Sequence, residues 1–90
     1  MMYRIQYSDA LNTKEIARFP KADLRRIKMA IEQKLTLHPE VFGKPLRFSL
    51  KGHRSLRVGD YRTIFRIQKK SVIILIIVHR SIVYQKDVSG

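Results

Sequence analysis

The chain contains no cysteine, so neither a disulfide nor a thiolate-held metal contributes to its fold or chemistry, and a reducing cytoplasm suits it. Acidic residues are scarce: seven Asp and Glu stand against nineteen Lys and Arg, giving a formal charge of +12. That balance fits RNA, DNA, a ribosome or an acidic protein as partner, and does not choose among them. Long apolar runs are also missing. The longest, Val72 to Val78, has seven residues, against roughly 20 for a helix that spans a bilayer; it reads as a buried strand. The start, Met1-Met2-Tyr3-Arg4-Ile5-Gln6-Tyr7, lacks the basic flank and apolar stretch of a signal peptide. We therefore expect a soluble cytoplasmic protein with no membrane partner. Proline and glycine are sparse, at three and four residues, while 44% of the chain is hydrophobic, which indicates a globule and not a disordered tail. With 90 residues, and no repeat, low-complexity segment or linker, the chain is expected to form one domain over residues 1–90.

The hydrophobic pattern changes period along the chain. Tyr3, Ile5 and Tyr7 alternate with Arg4 and Gln6, the signature of a half-buried strand. Asn12 is placed to cap a short helix, with Glu15 three residues on to complete a capping box. Pro20 ends that helix and suits the first turn of the next. There Leu24, Ile27, Ile31 and Leu35 form one apolar stripe, and Arg25, Arg26, Lys28 and Gln33 face away. The helix should stop near Leu37, before His38-Pro39, and residues 38–46 read as a loop. Beyond it Leu56 and Val58 share a face, Gly59-Asp60 makes a two-residue turn, and Tyr61, Thr63, Phe65 and Ile67 continue that face. Lys69-Lys70 make the next turn, and Ser71 to His79 is apolar on both faces, like a central strand. The predicted order is β-α-α-β-β-β: an α+β fold with a small antiparallel-rich sheet and two N-terminal helices packed on one face.

The cations are unevenly distributed. Eleven of the nineteen fall between Lys44 and Lys86, opposed nearby only by Asp60 and Asp87. If the turn has two residues, Val58 opposes Tyr61 and Arg57 opposes Arg62. Like charges directly opposite one another are destabilising, and these are on the face away from Leu56 and Val58, where the core does not need them. A solvated polar face is the plain interpretation. A phosphate clamp of guanidinium forks is the sharper one, with Lys51 and Arg54 extending the positive surface. A second cluster, His79-Arg80-Ser81-Ile82-Val83-Tyr84, follows the most buried strand, where a rigid element can position chemistry.

Together, Lys44-Pro45-Leu46, Leu50-Lys51-Gly52, Leu56-Arg57-Val58-Gly59-Asp60-Tyr61-Arg62-Thr63-Ile64-Phe65 and His79-Arg80 with Val83-Tyr84 resemble the RelE/ParE superfamily of bacterial toxins from type II toxin–antitoxin systems. The Arg57-Val58-Gly59-Asp60-Tyr61-Arg62 segment is the specific part, and RelE-type mRNA interferases are the nearer branch. The resemblance covers nearly the whole chain and implies the fold inferred above.

It also implies a toxin. RelE-type members are ribosome-dependent endoribonucleases that cleave mRNA in the A site, using the RNA 2′-hydroxyl against the adjacent phosphate. Such a reaction needs a proton acceptor, cations for the added phosphate charge and a donor to the leaving 5′-oxygen, with no metal or other cofactor. ParE-type members instead bind DNA gyrase without enzymatic action, and an inactive basic RNA-binding relative is a further alternative. By correspondence with the family, Arg62 matches the phosphate-binding arginine, Arg80 the arginine that stabilises the transition state or donates a proton, and Tyr84 the tyrosine that stacks on or activates the nucleotide. His79 matches the histidine of members with His-Arg before that tyrosine. Lys51, His53, Arg54 and Arg57 correspond more loosely to RNA- or phosphate-binding groups. The chain departs from the pattern in holding His53 and Ser55 where two lysines alternate, Val78 before His79 where glycine is usual, and Ile82 at an acidic or polar position. No glutamate is placed as a base, so the proton acceptor is open among His53, His79 and Tyr84. The implied partners are a cognate antitoxin, the ribosome and mRNA, with DNA reached only through the antitoxin complex.

Overall fold

Helical and period-two segments separate into two layers in the structure, a computed structural model that describes residues 2–46 and 52–81. The elements are β1 (Arg4–Tyr7), α1 (Thr13–Ile16), α2 (Lys21–Ala30) continuing through a π-helical turn (Ile31–Leu35), α3 (Pro39–Phe42), β2 (Lys44–Pro45), β3 (Arg54–Val58), β4 (Tyr61–Gln68) and β5 (Ser71–His79). The strands form one sheet in the order β1-β5-β4-β3-β2. Consecutive strands β2 to β5 are antiparallel, and β1 returns beside β5 in parallel, with Arg4 opposite Ser71 and Tyr7 opposite Ile74. The fold is α+β, as expected.

The stripe on α2 closes the core. Ile27, Ile31 and Leu35 are buried against Leu56, Val58, Phe65, Val72, Ile74 and Ile77 from the sheet, each such side chain contributing on the order of 1.5–3 kcal/mol by leaving water. The hairpin register matches the sequence expectation: Val58 lies opposite Tyr61 and Arg57 opposite Arg62. Gly59 opens that turn at φ +58, the glycine-first geometry of a II′ turn.

Three expectations are corrected. Residues 38–46 are not all loop: the His38 carbonyl accepts the N–H groups of Val41 and Phe42, making α3, and Lys44–Pro45 pairs with Ser55 and Arg54 as a fifth strand at the sheet edge. Pro20 is the N-cap of α2, at ψ 141, not a residue of its first turn. Asn12 precedes α1 but its side chain makes no cap bond; its amide donates to the Ile77 carbonyl at 2.7 Å and its carbonyl accepts the Ile77 N–H at 3.0 Å. The outer edge of β5 loses its partner when β1 ends at Tyr7, and a side-chain amide presents the same donor and acceptor as the missing strand. The Ser71–His79 strand is interior, as expected, with β1 on one side and β4 on the other; it carries a bulge, since Ile64 pairs with Ile76 and Phe65 with Ile74, leaving Leu75 unopposed.

Gly43 joins α3 to β2 against the Phe65 ring. A Cβ there would collide with Cζ of Phe65 and sit 2.8 Å from its Cε1, and Phe65 is wholly buried. Gly43→Ala should therefore cost about 1–3 kcal/mol or more in urea unfolding, and a Gly43→Ala/Phe65→Leu pair should recover part of that loss. Asn12→Ala strands the Ile77 peptide groups and should cost about 1–3 kcal/mol; Asn12→Asp, which accepts but cannot donate when ionised, should restore only part.

Candidate nucleic-acid interface

Alternation along the strands sorts the cations by face. Arg57, Arg62 and Val78 form one cross-strand row, and Lys44, Ser55, Ile64 and Ile76 form the next. Both rows lie on the face away from the helices, since Leu56, Val58, Tyr61, Thr63 and Phe65 point into the core side. Arg57 is exposed and Arg62 half-buried, and Arg57 Nε donates to the Gly59 carbonyl at 3.4 Å. At the edge of this face lies a cavity of about 390 Å³ whose described lining includes Lys34, Lys44, Arg57 and Arg62 and no carboxylate. His53 precedes β3 at the same parity as Ser55 and Arg57, half-buried, with its carbonyl bound to the Leu46 N–H at 2.9 Å.

Arg54 and His79 lie on the other side. The Arg54 guanidinium donates to the carbonyls of Gly43 at 2.9 Å and Glu40 at 3.3 Å, tying the end of α3 to the sheet. His79 pairs with Tyr61 across the strands, its ring meeting the Tyr61 ring edge-on at 5.4 Å between centroids. The Ser81 N–H donates to His79 Nδ1 at 3.3 Å, and the Ser81 hydroxyl lies 3.0 Å from the same nitrogen. With Nδ1 accepting from the Ser81 N–H, the matching tautomer carries its hydrogen on Nε2.

Arg80 follows β5 and is held at the hairpin tip. Its N–H donates to the Asp60 carbonyl at 2.7 Å, and its guanidinium stands 3.7 Å from the Asp60 carboxylate. The Gly59-Asp60 turn thus leads into Arg62 and also steadies Arg80. Lys51 and Tyr84 lie outside the described residues. The sequence reading missed Lys34 and Phe42, whose helical positions carry no motif. It also missed Asp23, although its place in the first turn after Pro20 and the tyrosine of the Gly59-Asp60-Tyr61-Arg62 segment hinted at a partner. Among the described residues no group of three His, Cys, Asp or Glu is arranged to hold a metal.

Tyr61 connects the two layers. Its hydroxyl donates to Asp23 of α2 at 2.9 Å, its ring packs 4.7 Å from Phe19, and the residue is buried. Burial first, then the bond to Asp23 and the nearby charges of Asp23 and Asp60, raise its pKa above the ordinary 10.0. The folded protein keeps this proton at a pH where the unfolded chain releases it. Its contribution is therefore complete below about pH 10 and is lost as pH rises above that value. Tyr61→Phe should be about 1 kcal/mol less stable near neutrality, yet lose less stability than the wild type when denaturation is followed into the alkaline range.

The family model described as "ParE toxin of type II toxin-antitoxin system, parDE" matches residues 6–84. The toxin–antitoxin complex RelBE2 from Mycobacterium tuberculosis contains a chain 29% identical to this one, with a TM-score of 0.81, covering 90% of this chain and 94% of that one. The archaeal RelE–RelB complex from Pyrococcus horikoshii is similar at 26% identity and a TM-score of 0.59, covering 89% and 97%. The RelB–RelE complex from Methanococcus jannaschii, at 20% identity, TM-score 0.64 and coverage of 90% and 96%, shares the fold. A comparison with curated protein sequences finds no match. With the family match extending from β1 beyond the end of β5, the chain belongs to the ParE toxin family of type II toxin–antitoxin systems, within the RelE/ParE superfamily.

Proposed function

We propose that this toxin is a ribosome-dependent endoribonuclease that inhibits translation by cutting mRNA in the A site. The observation that carries the proposal is the direct opposition of Arg57 and Arg62, beside a cavity also lined by Lys34 and Lys44 and by no described carboxylate. Guanidinium groups so placed are positioned to hold phosphate oxygens between them. In the proposed reaction the 2′-oxygen attacks the adjacent phosphorus, its proton passes to an acceptor, and the bond to the 5′-oxygen breaks as that oxygen takes a proton. Arg62 and Arg57 hold the non-bridging oxygens. Arg80, steadied by Asp60, stabilises the added charge or donates to the leaving oxygen. The candidate acceptors are His53, which shares the parity of the cation row, His79, whose Nδ1 faces Ser81, and Tyr84. Tyr84 stacks on the nucleotide. Lys51 adds to the phosphate surface, and Arg54 serves it indirectly through its hold on α3.

As a type II toxin the protein has a cognate antitoxin, and relatives of this fold occur in complex with theirs. We expect an acidic segment of that partner to neutralise the surface, with DNA engaged only through the complex. No described helix is long and apolar enough to cross a membrane, and the cytoplasm is the proposed site of action.

Primer extension on mRNA from a translation reaction, with and without ribosomes, tests the proposal. Cuts at fixed positions within codons should appear only with ribosomes, and Arg62→Ala and Arg80→Ala should each lose on the order of 100-fold in rate. Intact mRNA with the wild-type chain would sink it. The ParE name of the matched family favours a second reading, gyrase binding without RNA chemistry; stabilised DNA–gyrase cleavage complexes alongside intact mRNA would establish it.

A further inference from the structure

The basic cavity at the sheet edge contains an aromatic side chain that the proposed reaction does not use. Strand β2 pairs only with Arg54 and Ser55, so the edge of β3 from Leu56 onward meets no further strand among the described residues. Gly43 joins that edge to α3, and the notch there is lined by Ser55, Leu56 and Arg57 of β3 together with Phe42 and Lys34. Phe42 ends α3 with 42% of its surface exposed. Lys34 Nζ sits 5.6 Å from the Phe42 ring centroid, close enough for a cation–π contact. Lys44 and Arg57 complete the rim, and no described carboxylate lines it. The volume of about 390 Å³ falls within the roughly 300–1,000 Å³ of small-ligand clefts.

We propose that this notch is a nucleotide subsite, in which Phe42 stacks on a base of single-stranded RNA while Lys34, Lys44 and Arg57 hold the flanking phosphates. The pairing of an exposed ring with cations, and with no carboxylate among the described lining residues, is the combination that single-stranded nucleic acid rewards: the ring accepts any base by its π-face, and the cations track the backbone. Lys34, now over the ring, has the reach to move to a phosphate when a base takes its place. Continuity through Arg57 to Arg62 connects the subsite to the phosphate row proposed for cleavage, so Phe42 binds a base beside the scissile step and does not touch the reacting atoms. The inference rests on the reading of this toxin as acting on RNA.

The test is fluorescence anisotropy of a short labelled single-stranded RNA carrying 2′-O-methyl groups, which block cleavage, titrated with purified toxin over a series of salt concentrations. Phe42→Leu should weaken binding on the order of tenfold at every salt concentration, leaving the slope of log affinity against log salt unchanged. Phe42→Trp should bind at least as well as wild type. Lys44→Ala should reduce that slope by about 0.7, the value for one single-strand phosphate contact. Thermal unfolding of each variant verifies the fold, which an exposed position should preserve.

Wild-type affinity in Phe42→Leu, or no RNA binding by the wild type, overturns the proposal. Unchanged RNA affinity together with lost antitoxin binding in Phe42→Leu also overturns it and assigns the notch to the protein partner. The two readings separate cleanly. Ribosome-dependent cuts with no effect of Phe42→Leu sink the subsite and leave the endoribonuclease. Phe42-dependent RNA binding without mRNA cuts sinks the endoribonuclease and leaves the subsite.

Discussion

The hydroxyl of Tyr61, bonded to Asp23 at 2.9 Å while its ring packs against Phe19 and His79, is the constraint from which the arrangement of the site follows. It fixes the first residue of β4 to the second helix. Because side chains alternate along a strand, anchoring Tyr61 on the helix side sends Arg62 to the opposite face. Because Val58 is its cross-strand partner, Arg57 goes there too. Asp60, one residue earlier, is held at the turn where its carbonyl meets the Arg80 N–H. A slip of one residue at Gly59-Asp60 would invert the whole set, and the buried tyrosine is what prevents it.

The same geometry explains why two arginines can face each other in a small domain. Their mutual repulsion is a surface effect, reduced by water and salt, and the core beneath gains from the alternate residues on the same two strands: Leu56, Val58, Tyr61 and Phe65 are all buried. The cation row is thus carried on strands held for other reasons, and its cost falls on a face that the helices do not cover. A structural use of arginine appears on the opposite side, where Arg54 satisfies the Gly43 and Glu40 carbonyls at the end of a one-turn helix. Arginines three residues apart on one strand, Arg54 and Arg57, therefore do different work because their parity differs.

Much of this was legible in the residues. The two-residue turn and the run of alternating apolar positions set the β3–β4 register, and the helical stripe identified Ile27, Ile31 and Leu35 as core. Parity alone separates Arg54 from Arg57, so treating the basic residues as one patch overlooked information the period already held, whereas His79 reaches Tyr61 only because the bulge at Leu75 shifts the register of β5 by one residue. Other features could not be read locally. Asn12 with Glu15 fits a capping box, yet the unpaired peptide of Ile77 lies 65 residues away in the chain and claims the side chain. A tertiary demand for backbone partners outweighed a local preference. Likewise α3 is one turn long, too short for periodicity to register, and β2 exists only because β3 offers it an edge.

Charge and partner choice are linked by this layout. A face whose strands carry opposed arginines is suited to a polyanion, so under the proposed function both an mRNA and an acidic antitoxin segment would supply it with negative charge. What distinguishes them is the remaining chemistry. A protein segment can add main-chain hydrogen bonds along the open edge of β3, whereas single-stranded RNA offers planar bases that a ring such as Phe42 can stack against. If both use the β3 edge, they cannot occupy it together. Neutralisation of the toxin then requires no conformational change, only an antitoxin segment that outcompetes RNA for the same cations at cellular ionic strength. Salt weakens the phosphate contacts of RNA steeply, while main-chain hydrogen bonds and apolar contacts of a folded-on segment are affected far less. That difference gives a protein inhibitor the advantage on a strongly cationic surface.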